Sequence, residues 1–433
     1  MKIWLINAYG PIPLEGWRDY RYTIIGNVLS AAGHDVLWWT SNFSHHFKRF
    51  RSEGWEDRTL SPRFRIRLVP TPGYSRNIGL ARLRNELAFI CRTYMRARRE
   101  GRPDCIVVTD PPQTVGRLGV WLAGRWHCPL IFDVMDLWPE LFALALPRRL
   151  RGLAPIIFSP MYLARKRNYS HADGLIALSQ SYTDKMLAEV PRLRAAPVAT
   201  VFNGIDVEAF REAMRESANG LHLPNKGAGE IWAVYAGSLG ENYDVSTLME
   251  AAVLLENRGV AIRILVAGDG PRAAALQAFV RERQLGNLIY LGSVSKGCLP
   301  GLYRQCDIGI SAYGPSSTVA MPDKAYDYMA AGLPMVNSLR GELAALIDAR
   351  QCGLNYAAGD PLSLAATFET LATDHNLRRA MARSSFEAGN DFDRRAQYGC
   401  LPALVEKVCL DWAAVKPTIR TTLKCFLKNM LCN

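Results

Sequence analysis

Apolar residues run along this chain in short unbroken blocks, and between the blocks they recur every three or four positions. The blocks KIWLINA at the start and DVLWWTS after Gly33-His34 are too uniformly apolar to have a wet face, so they read as strands buried on both sides. Residues 65–69, 105–109, 129–134, 174–178 and 198–202 repeat the signal. A helical period fills most of the gaps, first over 22–32, where Gly33 stops it. Strands alternating with helices predict a parallel sheet assembled from βαβ units.

The pattern then restarts. IWAVYAGS is a fresh apolar block ending in glycine, and a helical stretch follows over 245–256. IRILVAGDGP, NLIYLGSV, DIGISAY and LPMVNS come next, each leading into helical sequence. Residues 217–229, rich in Gly and Asn with one Pro, read as the linker between the two series. The expected fold class is α/β, with two doubly wound, Rossmann-like domains over 1–205 and 225–390. They are expected to face each other across a cleft, since open sheets of this kind hold ligands at the carboxyl ends of their strands. Residues 391–433 break the rhythm: a helical segment to about Trp412, then the basic amphipathic tail KPTIRTTLKCFLKNMLCN, expected to pack back on the first domain.

With 433 residues, 49% hydrophobic and 21% charged, the chain can bury large cores and is not a disordered one. The net charge of +12 is unevenly spread. Residues 1–200 hold 29 basic and 16 acidic side chains, whereas residues 201–433 hold 23 and 24. The first domain is therefore the one expected to face an anionic partner. Ten cysteines with no C-x-x-C pair read as reduced thiols. MKIWLINAYG lacks the apolar core and cleavage site of a signal peptide, and no apolar stretch of about 20 residues occurs. The expected location is cytoplasmic, at the inner face of the plasma membrane.

A series of turns carries the candidate chemistry: Phe202-Asn203-Gly204-Ile205-Asp206, Tyr235-Ala236-Gly237-Ser238-Leu239-Gly240, and Val266-Ala267-Gly268-Asp269-Gly270-Pro271. To these are added the stretch from Pro322-Asp323-Lys324 to Ala331-Gly332-Leu333-Pro334, the motif Asp136-Leu137-Trp138-Pro139-Glu140, and residues 39–51 with Phe43, His45, Lys48 and Arg51. In this order, and over residues 1 to about 410, the set resembles glycosyltransferase family 4. These are retaining transferases of the GT-B fold, and the resemblance is to the bacterial subgroup that builds surface polysaccharides.

That resemblance implies a nucleotide-sugar donor, UDP-linked in many such enzymes, a lipid-linked glycan acceptor, and neither cofactor nor metal. Gly237, Ser238, Leu239 and Gly240 would bring backbone N–H groups and a helix N-terminus to the pyrophosphate, with Gly268, Asp269, Gly270 and Pro271 as the neighbouring donor turn. Lys324 would supply the catalytic cation, because the loop SLGENYD lacks the Arg and Lys that the family often carries there. Asp327 stands at the second Glu of the family's E-x7-E motif and would accept the ribose hydroxyls. The first Glu falls on Val319, which leaves Ser317 and Thr318 to contact the sugar. Asp136, with Trp138 beside it, would orient the acceptor or stabilise charge on the ring. Gly10 and Gly16 would bracket a loop closing over the ligands. Each position also has a plainer reading: a turn that binds nothing, a solvated lysine, a polar helix face, a capping aspartate.

Asp391-Phe392-Asp393 matches a D-x-D metal signature, but two carboxylates at a helix start read as caps. The basic runs Arg92–Arg102 and Arg148–Arg167, the second beside apolar residues 156–163, suit an anionic membrane surface. They lack the interleaved aromatics of nucleic-acid readers, so nucleic acid is not an expected partner. A sugar-nucleotide epimerase of the same fold is the alternative enzyme reading.

Overall fold

The computed structural model describes residues 1–13, 15, 20–77, 79–216, 223–240 and 242–415. Two compact units divide the chain: Met1–Val201 with the residues from Tyr398 onward, and Phe202–Gln397.

Among the described residues, eight strands make the sheet of the first unit. They are β1 (Lys2–Ile6), β2 (Asp35–Ser41), β3 (Glu56–Ser61), β4 (Phe64–Val69), β5 (Cys105–Asp110), β6 (Leu130–Val134), β7 (Gly174–Ala177) and β8 (Val198–Thr200). Their order is β3-β4-β2-β1-β5-β6-β7-β8, parallel except where β3 lies antiparallel to β4. β3 escaped the sequence pattern because its EDRTLS run is an edge strand with one large apolar residue, Leu60. Trp4, Trp38 and Trp39 on β1 and β2 are fully buried, the Trp4 and Trp39 rings meeting edge to face at 5.4 Å.

The second unit holds β9 (Ile231–Ala236), β10 (Ile262–Ala267), β11 (Leu288–Gly292), β12 (Ile308–Ser311), β13 (Met335–Asn337) and β14 (Gly353–Asn355). All are parallel, in the order β11-β10-β9-β12-β13-β14. β9 shows why these strands are apolar throughout. Trp232, Val234 and Ala236 enter one core, while Ile231, Ala233 and Tyr235 enter the core on the opposite face.

The domain limits differ from the expected 1–205, 225–390 and 391–433. Ile205 exchanges backbone hydrogen bonds with the 392–394 turn, its N–H to Phe392 O at 3.0 Å and its carbonyl to Arg394 N at 2.8 Å. Ile205 and Val207 are buried in a core of the second unit, so the domain limit precedes them and does not fall within 217–229. Of that stretch, 217–222 lie outside the described residues. At the other end, Tyr398, Leu401, Leu404, Val405 and Val408 are buried in a core of the first unit, and helical backbone continues through 401–415. The tail from 416 lies outside the described residues. Gly and Asn mark a surface loop, whereas a domain limit depends on which core takes the flanking side chains.

Candidate active site

The carboxyl ends of β9 and β12 converge on one lysine. The helix Asp323–Ala331 starts just after Pro322 and buries every side chain from Lys324 to Ala330. Tyr328 fastens it beneath the sheet: its hydroxyl accepts the Ala236 N–H at 3.0 Å and faces the carbonyls of Val234 and Ile310 at 3.1 and 3.2 Å. Lys324 then projects its ammonium among three tyrosine rings. Nζ lies 3.9 Å from the centre of Tyr235, 4.9 Å from Tyr243 and 5.3 Å from Tyr313. It has no hydrogen-bond partner among the described residues. A Cβ at Gly237 would stand 2.9 Å from Nζ, so the glycine leaves the space that the ammonium fills.

Burial lowers the Lys324 pKa from 10.5 to about 7, and the Asp327 carboxylate one turn along the helix pulls it back upward. Ring faces attract a cation but cannot replace the hydrogen bonds of water. An oxyanion is a group that could supply both charge and acceptors there.

The two glycine turns are joined to each other. Gly237 donates its N–H to Ala267 O, and Leu239 to Asp269 O, both at 2.9 Å. A Cβ at Gly268 would lie 1.8 Å from Gly237 O, so only glycine permits this approach. The expectation that the whole 237–240 bend offers amides to a ligand is corrected here, since the Gly237 and Leu239 amides are committed to the protein. Leu239 is a core residue with no exposed surface. Ser238 is exposed, and its carbonyl accepts the Tyr235 hydroxyl at 2.7 Å. In the neighbouring turn Asp269 uses its carboxylate on the Gly270 N–H at 2.7 Å, while Pro271 is exposed.

Asp327 shares the buried face of the helix with Lys324, which makes it a counter-charge for the ammonium as well as the expected ribose acceptor. Thr318 and Val319 lie on an exposed loop, and the Ser317 hydroxyl accepts the Val319 N–H at 3.4 Å. Sequence reasoning missed Tyr235, Tyr243 and Tyr313. The rule that pointed to Gly237 applies to them too: Tyr235 and Tyr313 sit at the carboxyl ends of β9 and β12, and Tyr243 bridges to Tyr313 across the loop.

In the first unit, Asp136 follows β6, and its carboxylate accepts the Leu137 N–H at 2.8 Å. Burial raises its pKa, opposed by that hydrogen bond. The Trp138 ring packs edge to face on Phe142 at 4.7 Å, with the Arg82 guanidinium 5.3 Å from it. Gly10 is a packed turn rather than a hinge. Its N–H donates to Asn7 Oδ1, its carbonyl accepts from Arg51, and a Cβ there would meet the Tyr20 ring at 2.2 Å. Gly16 lies outside the described residues. Asp393 of the D-x-D sequence accepts N–H groups of Arg395 and Val207, and Asp391 pairs with Arg350. Arg165 is corrected as a surface cation: only 3% of its side chain is exposed, and it is clamped by Glu140, Glu189 and the Trp138 carbonyl.

Residues 25–204 match the family described as glycosyl transferase 4-like domain, and residues 230–374 match glycosyl transferases group 1. The chain belongs to the family-4-type glycosyltransferases. The chain is 27% identical over 250 residues to a GDP-mannose-dependent alpha-(1-6)-phosphatidylinositol dimannoside mannosyltransferase of Mycobacterium tuberculosis. The alignment takes in 57% of this chain and 60% of that relative's length. Its fold is that of sucrose-phosphate synthase from Thermosynechococcus elongatus, with a TM-score of 0.68 at 17% identity over 97% of this chain and 99% of the other. Anabaena HepE, crystallised with UDP, gives a TM-score of 0.65 at 14% identity over 93% and 98%. The fold class is therefore GT-B.

Proposed function

We propose that this protein transfers a sugar from a nucleotide-diphosphate donor to a lipid-linked glycan, with retention at the anomeric carbon. What supports this most is the buried ammonium of Lys324, set against Gly237 and without a hydrogen-bond partner among the described residues. The second unit holds the donor, with its diphosphate completing the Lys324 site. The acceptor hydroxyl attacks on the face of the leaving group. Its oxygen bonds to the anomeric carbon as the bond to the diphosphate oxygen breaks, and that oxygen takes the proton. Lys324 stabilises the charge that grows on the diphosphate, where a preorganised cation in a water-poor site is most effective. The curated relative's name specifies GDP-mannose and the HepE structure contains UDP, so both bases belong in the test.

The test is thermal unfolding of the protein against a panel of UDP- and GDP-sugars. A donor at a hundred times its Kd adds about 2.7 kcal/mol of stability, a rise of several degrees. The stabilising donor should then be consumed in a transfer assay with a lipid-diphosphate glycan. A panel with no stabilising member, or binding without transfer or hydrolysis, would overturn the reading.

We propose that the first unit is the one that meets an anionic membrane surface. Leu80, Leu83, Leu87, Cys91 and Met95 form one exposed stripe along the helix Leu80–Ala97, with Leu80 84% exposed, and Arg84, Arg92 and Arg96 flank it. The helices Gln113–Trp126 and Ser159–Tyr169 continue this layer, adding Trp121 at 47% and Leu163 at 67% exposure. Among the described residues no helix is long and apolar enough to cross a membrane. Flotation with vesicles containing anionic lipid should carry the protein upward, and Leu83→Glu with Leu87→Glu should abolish it. Equal flotation with neutral vesicles would count against the surface.

A further inference from the structure

The first unit gathers a second set of charged and aromatic side chains for which sugar transfer at Lys324 has no use. They come from separate loops at the carboxyl ends of the sheet. Tyr9 follows β1, His45 and Lys48 follow β2, Tyr74 follows β4, and Arg82 enters from the first turn of the helix Leu80–Ala97. The contacts form a continuous chain. Lys48 Nζ lies 4.5 Å from the centre of the Tyr74 ring, and the Tyr74 hydroxyl is hydrogen-bonded to His45 Nδ1. The His45 ring is 5.3 Å from Tyr9, and the Arg82 guanidinium is 5.0 Å from Tyr9 and 5.3 Å from Trp138. Both rings lie against the guanidinium and limit its freedom, while Nη1 is already committed to the Asn77 carbonyl at 2.6 Å, so only its remaining N–H groups can meet an acceptor.

Cations dominate this cluster, although the charge of Glu86 reaches Tyr9 and Tyr74. Burial, Lys48, Arg82 and His46 all act against a proton on His45 and hold its pKa at about 4; burial and Arg82 lower that of Lys48. Among the described residues, neither Lys48 nor Arg82 has a carboxylate within ion-pair distance. Glu86, on the same helix as Arg82, is occupied by the hydroxyls of Tyr9, at 2.9 Å, and Thr114. Lys48 is also held with a φ of 53°, a left-handed conformation that a lysine seldom adopts. Asn77 ties the two cations to one residue, taking Lys48 Nζ on its side-chain oxygen and Arg82 Nη1 on its carbonyl at 2.6 Å, with a strained backbone under Lys48. Asn77 is a neutral acceptor, so a bound anion would relieve the repulsion and use the N–H groups that Asn77 leaves.

We infer that Lys48 and Arg82 form an anion subsite in the first unit, which holds a phosphate, diphosphate or carboxylate group of the glycosyl acceptor. Its identity as an acceptor subsite rests on the transfer reading; its affinity for an anion does not. The same chemistry fits the diphosphate of a lipid-linked glycan and the carboxylate of an acidic sugar.

The test uses full-length protein carrying Lys324→Met, which removes the donor-diphosphate cation, and inorganic pyrophosphate and glucuronate as separate calorimetric probes. At least one probe should bind this protein. Adding Lys48→Ala or Arg82→Gln should weaken it about tenfold or more, while Arg98→Gln with Arg99→Gln, exposed at the end of the helix, should leave it unchanged. Preference for pyrophosphate assigns the group to a lipid diphosphate, and preference for glucuronate to an acidic sugar. Thermal unfolding of each variant confirms that it is folded. Binding of neither probe, binding indifferent to Lys48 and Arg82, or equal loss in the Arg98/Arg99 control would overturn the subsite. Failure of every nucleotide sugar to stabilise the wild-type protein would overturn the transfer reading alone.

Discussion

Replacing Lys324 with methionine should reduce sugar transfer about 10²- to 10³-fold, the cost of removing one preorganised charge from a leaving-group site, while Tm at pH 7 holds or rises. The second half of this result separates a binding cation from a structural one. Methionine matches the length of the lysine stem and removes an amine that is buried among Tyr235, Tyr243 and Tyr313 without a hydrogen bond to any described residue. The pH dependence has a definite sign. With the folded pKa lowered to about 7 from 10.5, the unfolded chain binds the extra proton between those values. Stability therefore rises with pH across that window in the wild type relative to the variant. Donor binding should reverse the shift: above pH 7 a diphosphate draws a proton onto Lys324. Calorimetry of donor binding in buffers of different ionisation enthalpy should show uptake by the wild type and none by the variant. Turnover within about threefold of wild type, or a fall in Tm that parallels the loss of activity, would refute the assignment.

Asp133→Ala should lower stability by about 3–5 kcal/mol, the usual cost of leaving a buried ion without its partner. Arg21 and Asp133 are fully buried and joined at 2.8 Å, with a second contact from Arg21 Nε at 3.0 Å. Arg21 Nη1 also donates to the Val201 carbonyl at 2.6 Å and to the Tyr398 hydroxyl at 3.3 Å. One guanidinium thus connects the helix Arg21–Ala31, β6, the end of β8 and the chain returning at Tyr398. Its loss should loosen that returning segment along with the sheet. The double variant Arg21→Met, Asp133→Leu should recover much of the loss, because apolar residues of similar volume need no pairing. Urea unfolding of the two single variants and the double gives the coupling directly. A single-variant loss below about 1 kcal/mol would show that solvent reaches Arg21.

The candidate site was partly legible in sequence. Lys324 could be singled out because SLGENYD offers no cation to a diphosphate, and Gly237 because glycine ends an apolar strand. The reason for Gly237 was not legible: the space it leaves is filled by Lys324, and that depends on a helix 86 positions further on. Gly268 likewise read as a ligand-facing turn, whereas it lets β10's turn touch the backbone of Gly237. Arg165 and Arg167 look alike in a basic run, yet only Arg165 points inward to Glu140 and Glu189.

The chain by itself determined the fold class, because uniformly apolar blocks of strand length alternating with helical periods can be buried only as parallel sheets covered on both faces. It also singled out Gly237 and Lys324 as candidates to meet a diphosphate. Tertiary structure decided where each domain ends, which amides stay free, and which charges lose their water. The difference is physical: periodicity is a property of neighbours in the chain, whereas burial and pairing, as at Lys324 and Arg21, are set by residues far away in sequence that the sheets bring together.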